Sequence, residues 1–558
     1  MSPVIDRREF ISASAAMMLT SPFLTAAPGL DMALVNARVW TGRREREAVS
    51  AVGIVGDRIA AIGADMVRAA TSRATRVIDL DGAFLMPAFT DNHTHFLRGS
   101  AMLRQPSLRD ARTPAAFAER VGAAARLLKP GQWVEGGYWD EQLWGGELPT
   151  RAWIDAVTPD HPVAVNRLDL HMILLNSVAL KLAGIDRNTV PPEGGVIVRD
   201  AAGEPTGILK DNAAWLAERA IPKLDEAGIE DILRGGIAEG LSKGVAQAHS
   251  PEIDWSMYEA LRRLGAKGRP DMRFYSFVPL ADWEKMAAIV ATEGKGDDWI
   301  RWGGVKGLMD GSLGSRTALF RDPYSDAPDT RGVRVTPRAD IARWVAAADA
   351  GHMPVTVHAI GDEANDELLD IYADVARTNG KRDRRFRIEH AQHLSQAAIP
   401  RFARQDVIAS VQPYHAIDDG RWAVKRIGES RLRGTYAFKS LLDAGARVTF
   451  GSDWPVAPFD PIAGIHAAVT RATIDGLNPD GWLPDQKVTV EQALTAYTSA
   501  NAHAGFQEDR LGLIARGYLA DLVVLDADPR SVPPASIART KVLRTFVGGK
   551  QRFGPQDG

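Results

Sequence analysis

His93 and His95 place two imidazoles two residues apart at the end of the apolar run Ala83-Phe-Leu-Met-Pro-Ala-Phe-Thr-Asp-Asn. Side chains at i and i+2 of an extended segment face the same way, so the pair is a ready chelate. Imidazole suits zinc and its neighbours, and a strand terminus holds the pair while the following loop leaves coordination positions open for water. The alternative is two unrelated surface histidines, and the downstream sequence bears on the choice. Met-Pro-Val-Thr-Val-His358 and Arg-Phe-Arg-Ile-Glu-His390 each end a short apolar or β-branched run in histidine, and Arg-Val-Thr-Phe-Gly-Ser-Asp453 closes the series with a carboxylate. A lone histidine ending a buried strand is ordinarily a hydrogen-bonded core residue. Four of the twelve histidines and one aspartate at equivalent strand ends form a pattern.

Eight strands are expected near 84–93, 244–249, 272–278, 302–309, 353–358, 385–390, 407–413 and 447–453. Helical patterns separate most of them, such as the run from Ala339 to a Gly351 stop and that from Ala364 to Thr378. Alternation of strand and helix implies a parallel sheet, and eight units imply closure into a (β/α)8 TIM barrel, an α/β fold. In such a barrel every strand ends on the face where active sites are built, so ligands spread over residues 93 to 453 converge. The stretch 100–243 far exceeds an ordinary βα loop and reads as an inserted subdomain after the first strand.

These motifs resemble the metal-dependent amidohydrolase superfamily, and within it the YtcJ-like family 3. The resemblance spans essentially all of the chain after residue 30. It rests on Leu85-Met-Pro-Ala-Phe-Thr-Asp-Asn-His-Thr-His95, Val305-Lys-Gly-Leu-Met-Asp-Gly-Ser-Leu-Gly314, Ile388-Glu-His390, Ser410-Val-Gln-Pro413 and Gly451-Ser-Asp-Trp-Pro455. Within the insertion, Pro149-Thr-Arg151, Pro159-Asp-His-Pro162 and Gly203-Glu-Pro-Thr-Gly207 match too.

The resemblance implies that His93 and His95 bind one divalent metal and His358 and His390 a second, zinc being the expected element. It also implies that Lys306 bridges them as an N6-carboxylated lysine, with an ordinary lysine paired to Asp310 as the alternative. Asp453 would ligate the first metal and serve as the catalytic base. Two divalent ions about 3.5–4 Å apart acidify a shared water and polarise a carbonyl, and a carboxylate within reach can take a proton and return it to a departing amine.

One departure lies in the insertion, where the family often reads Asp-Gly-His and this chain has Asp169-Leu170-His171. Either the backbone differs there or the pocket is narrowed. His171 is a candidate substrate contact. Tyr138, Trp139 and Trp144 lie in a Gly-flanked segment that suits an apolar ligand wall, although such aromatics as readily fill a core. Asp310, Arg316 and His415 complete the candidate substrate-binding set.

Alternating segments near 31–62 and 520–549 predict that strands from both ends, 31–84 and 508–558, form one β-sandwich beside a barrel of 85–507. Residues 1–30 carry Arg7-Arg8, then an apolar stretch and small residues near Ala26-Ala27, the order of a twin-arginine export signal. That predicts a periplasmic protein with no membrane span once the signal is removed.

The composition is globular, 45% hydrophobic and 25% charged over 558 residues. A net charge of −3 gives no footprint for nucleic acid, and zero Cys removes disulfides, thiolate sites and cysteine nucleophiles. Homo-oligomerisation stays open. Two readings compete. One is a hydrolase cleaving an amide-type C–N bond of a small molecule, with a mononuclear N-acyl amino acid deacylase or a lactonase/esterase as variants. The other is a non-catalytic periplasmic solute- or metal-binding protein, which has no need of Asp453.

Overall fold

Strands buried on both faces need continuous apolar or β-branched runs, and eight such runs line up side by side in chain order. In the computed structural model, which describes residues 29–43 and 48–555, they are β1 (Phe89–Asp91), β2 (Val245–Pro251), β3 (Arg273–Pro279), β4 (Ile300–Leu308), β5 (Val355–Ala359), β6 (Arg387–His390), β7 (Ile408–Val411) and β8 (Val448–Phe450). Every neighbouring pair is parallel, with registers such as Val305 opposite Val355 and Ile388 opposite Ala409. Helices follow the strands, among them Arg338–Ala350 and Asp362–Thr378. The architecture is a (β/α)8 barrel.

The two outer strands meet through the residues that carry the chemistry. Asp453 N donates to His93 O at 2.7 Å and His95 N to Trp454 O at 2.7 Å. Gly451 lies so close to the His93 backbone that a Cβ there would sit 2.6 Å from His93 N, so glycine is what lets the end of β8 cross β1. Below them the buried Asn501 amide donates to Thr90 O (2.5 Å) and Phe450 O (2.8 Å), bridging the seam. Asn501→Ala removes the donor that Thr90 O and Phe450 O share, Phe450 O keeping the longer 3.3 Å bond from Asn92 N, at a cost of about 1–3 kcal/mol. A clear fall in the denaturation midpoint is expected, and a midpoint equal to that of the wild type would show that the bridge carries no stability.

The run expected as one strand over 84–93 divides between two sheets. Phe84–Pro87 pairs with Arg38–Val39 and with Leu522–Leu525, outside the barrel, and only Phe89–Asp91 enters it. Pro87 has no N–H to continue a ladder, and Ala88 N turns to Asp521 O at 2.9 Å. Phe84–Pro87 thus belongs to a five-stranded sheet completed by Val542–Val547 and Lys550–Phe553. A four-stranded sheet of Met32–Val35, Val52–Val55, Arg58–Ile62 and Arg76–Asp79 adds a second layer. Leu34, Val52 and Ile54 share one apolar core with Leu85, Leu522, Val524 and Phe546. The buried Arg273–Asp521 pair, at 2.6 Å, ties this region to β3.

Between β1 and β2 stands a subdomain with its own sheet, Val134–Trp139, Val163–Arg167, Met172–Leu175, Gly195–Arg199 and Pro205–Asp211. Helix Pro114–Ala125, capped by Thr113 with proline at its first position, closes one face through Phe117 and Val121. The loop 168–171 of this subdomain reaches the barrel mouth: Asp169 Oδ2 accepts from Ser315 Oγ at 3.1 Å, and His171 stacks near His358. Among the described residues no helix is long and apolar enough to cross a membrane. The expected export segment lies outside the described residues, apart from Gly29 and Leu30.

Candidate active site and metal centre

The loops leaving β1 and β8 and the C-terminal ends of β5 and β6 bring His93, His95, Asp453, His358 and His390 together at the C-terminal face of the barrel. Asp453 and His390 hold left-handed backbone angles, φ 61° and 74°, which for residues other than glycine marks conformations that the surroundings enforce. Asp453 Oδ1 lies 3.5 Å from His93 Nε2 and 3.3 Å from His95 Nε2. Its Oδ2 lies 3.9 Å from both His390 Nδ1 and His415 Nε2. Donor atoms of His93, His390 and Asp453 all fall within 4.8 Å of one another. The His390 ring stands between those of His93 and His358, with centroids 5.0 and 4.5 Å away.

Buried polar atoms are nearly always partnered, yet His93 Nε2 and Asp453 Oδ1 have no hydrogen bond. Two orphaned ligand atoms facing each other in a buried site fit a cation. Burial, with neighbouring imidazoles, holds His358 and His390 well below the ordinary histidine value, which keeps them in the neutral form that ligates. Burial alone would raise Asp453, but His93, His95 and His390 outweigh it and hold the carboxyl well below its usual range. Lys306 opens on the same cavity as His95, His358, His390 and Asp453. Burial pushes its ammonium down to about 8. Among the described residues no carboxylate lies within ion-pair distance of it.

One nitrogen of each ring is anchored. His93 Nδ1 donates to Glu389 Oε2 at 2.6 Å, and His95 Nδ1 to Glu252 Oε2 at 3.1 Å. His390 Nδ1 pairs with Gln412 Oε1 at 2.8 Å, and His358 Nε2 with Gly311 O at 3.0 Å. Such partners fix the tautomer and aim the opposite nitrogen. Glu389 is itself completely buried, pairing with Arg387 at 2.6 Å and accepting from Ser410 at 2.5 Å and from Thr356. Sequence reasoning missed Glu252, Glu389 and Gln412. For Glu389 the signal was available: Arg387 and Glu389 share a strand face by alternation, and opposite charges pointing into a barrel must pair.

Of the expected substrate contacts, His171 and His415 line the site. The His171 ring is 5.1 Å from that of His358, with Nδ1 held by Asp211 at 2.6 Å, and His415 Nε2 is unpartnered. Leu170 adopts φ 62°, so the backbone keeps a glycine-like shape while the side chain narrows the mouth. Two small cavities of about 50 and 80 Å³ lie over the centre and share Asp169, His171, His358, His390 and Asp453.

The other five candidates line neither of these cavities. Trp139 and Trp144 pack with Phe117 in the core of the inserted subdomain, the Trp139 indole donating to Val165 O at 3.0 Å, because their apolar area is better buried there than at a wet mouth. Asp310 is fully buried and accepts from the backbone N–H groups of Leu319, Ile360 and Gly361, so it shapes loops rather than meeting substrate. Arg316 is bound by Asp326 at 2.9 Å, away from the cavities. Tyr138 lines a different, larger cavity.

Residues 76–553 match the amidohydrolase family. The chain belongs to that family, hydrolases acting on carbon–nitrogen bonds other than peptide bonds. It is 35% identical to Protein LONG AFTER FAR-RED 3 of Arabidopsis thaliana, covering 95% of this chain and 93% of that one. It is 33% identical to the putative amidohydrolase YtcJ of Bacillus subtilis, over 86% and 90%. It is 29% identical to the N-substituted formamide deformylase of Arthrobacter pascens, over 94% and 98%. Among solved structures, an uncharacterized metal-dependent hydrolase from Pyrococcus furiosus superposes with a TM-score of 0.70 at 30% identity, over 90% of this chain and all of that one.

Proposed function

We propose that this protein hydrolyses an amide-type C–N bond in a small molecule, with Asp453 as the group that moves the proton. The observation that carries this is the Asp453 carboxylate, set among four imidazoles with one oxygen unpartnered. Divalent cations, zinc in this reading, supply polarisation of the scissile carbonyl and acidification of water when bound. His93, His95 and Asp453 would hold one ion and His358 and His390 a second, with a carboxylated Lys306 between them. Asp453 takes the proton of the attacking water and returns it to the departing nitrogen. His171 and His415, which both line the cavity over the centre, hold the substrate's polar atoms. Similarity to the formamide deformylase favours amides over lactones and esters. The twin-arginine sequence supports export to the periplasm.

The test is a panel of N-formyl, N-acyl, carbamate, urea and lactone substrates assayed with zinc- or manganese-loaded protein. Amide turnover is expected. Two metals per chain are expected by elemental analysis, and a stoichiometry that never exceeds one supports the mononuclear deacylase. Lys306→Ala should lose most activity and regain part with added short-chain carboxylic acids. A bare lysine in crystals grown with bicarbonate would remove the bridge from this scheme.

A further inference from the structure

A cavity larger than the two over the histidines lies beside them. A chamber of about 620 Å³, within the range typical of small-molecule sites, lies between helix Phe96–Met102, the edge strand Val134–Trp139 and helix Glu226–Ser242. It shares Arg98, Leu170 and Glu218 with the cavity that holds His95, Lys306 and Asp453. The partition between the two is thus one side chain thick, formed by Leu170 and the Arg98–Glu218 pair at 3.2 Å. Arg98 follows His95 by about one helical turn, so the chamber begins about one turn from the imidazoles, and an extended substrate anchored there enters it by displacing Leu170 or the Arg98–Glu218 pair.

Its walls state what such a substrate carries. Leu97, Ala101, Ile173, Leu224, Ile229 and Ile232 make it apolar. Five acidic side chains face three basic ones around it: Arg98 pairs with Glu218 at 3.2 Å, Arg263 lies 4.0 Å from Glu226 with its Nε free of hydrogen bonds, and Lys223 makes no ion pair among the described residues. Glu135, on the wall beside Tyr138, has neither a hydrogen bond nor an ion pair among the described residues. Burial raises its carboxyl with no cation nearby to offset the cost. A half-buried carboxylate with no protein partner is open to a charge-assisted bond from a ligand cation. The Tyr138 hydroxyl reaches only Gln105, at 3.4 Å, and leaves room for a further polar contact.

Building on the amide-hydrolase reading, we propose that this chamber receives one arm of the substrate, an apolar spacer that ends in an ammonium group paired with Glu135. The substrate class is then an acylated diamine or a closely similar amino-terminated amide. No atoms are transferred in the chamber; it selects and orients.

The experiment compares N-formyl-1,6-diaminohexane, N-hexylformamide and N-methylformamide as substrates of wild type and Glu135→Gln. Wild type should prefer the amine-terminated formamide over the hexyl one by about tenfold or more in kcat/KM, the scale of a charge-assisted hydrogen bond. Glu135→Gln should erase that preference while leaving N-methylformamide turnover unchanged, because Glu135 touches none of the imidazoles. Ile232→Trp, which fills the chamber, should raise KM for both long substrates alone. A preference that survives Glu135→Gln overturns the proposal. Calorimetric binding of hexylammonium against hexanol separates this idea from the catalytic one. Tighter hexylammonium binding that depends on Glu135 supports the chamber even if no amide is turned over, and equal binding of the two probes refutes it even if amides are.

Discussion

Asp453→Asn is expected to lower kcat by about 10²–10⁴, the usual contribution of a positioned acid–base group, in a protein that still folds and still binds metal. Asparagine is among the few residues at ease in the left-handed region, so φ 61° at this position is retained. The backbone bond from residue 453 to His93 O does not involve the side chain and also survives. One oxygen remains as a ligand, whereas the proton acceptor is gone. Single-turnover kinetics beside elemental analysis reads the two effects apart. KM should move little, because His171, His415 and Leu170 are untouched. Near-normal turnover at full metal occupancy would hand the role of base to another group, with His171 the first to examine.

Glu389→Ala should produce the second large effect, on stability and metal retention together. The side chain is completely enclosed and compensates Arg387 while holding His93 Nδ1. Truncation leaves a buried guanidinium unpaired, which costs about 3–5 kcal/mol. It also frees the His93 ring to rotate, and losing such an outer partner lowers metal affinity about 10–100-fold. Chemical denaturation and competition with a chelator measure the two quantities. Glu389→Gln, which keeps the shape and one acceptor, should fall between wild type and alanine in both. An alanine variant as stable as wild type would mean that Arg387 finds its counter-charge elsewhere.

The parts of the site legible in sequence were those tied to a strand end. His93, His95, His358, His390 and Asp453 each close or follow an apolar run, and in a parallel barrel that position predicts convergence, whereas Lys306, inside β4, was marked only by the family resemblance. The residues that hold these ligands carry no such mark. Glu252 lies beyond its strand, and Gln412 is one of many polar residues after a short apolar run. Trp139 and Trp144 show the opposite failure: aromatic residues flanked by glycine look alike whether they wall a pocket or fill a core, and only the partner Phe117, far along the chain, decides. Asp310 misled for a related reason. A carboxylate near a predicted ligand suggests chemistry, but three backbone N–H groups from two loops consume it. The division of 84–93 between two sheets was signalled by Pro87 alone, because periodicity reports that a strand exists and not which sheet accepts it.

The strand Phe84–Pro87 leads straight into the first histidine pair, yet its antiparallel partner, Leu522–Leu525, is more than 430 positions later in the chain. On the ribosome, therefore, the strand beneath the His93–His95 chelate lacks its antiparallel partner until synthesis has passed Leu525. The same holds for the other half of the centre, since the seam that clasps His93 needs Asp453 and Asn501. A nascent or prematurely terminated chain can offer only loose histidines to a passing metal. Possession of the assembled centre then doubles as a record that translation passed Leu525.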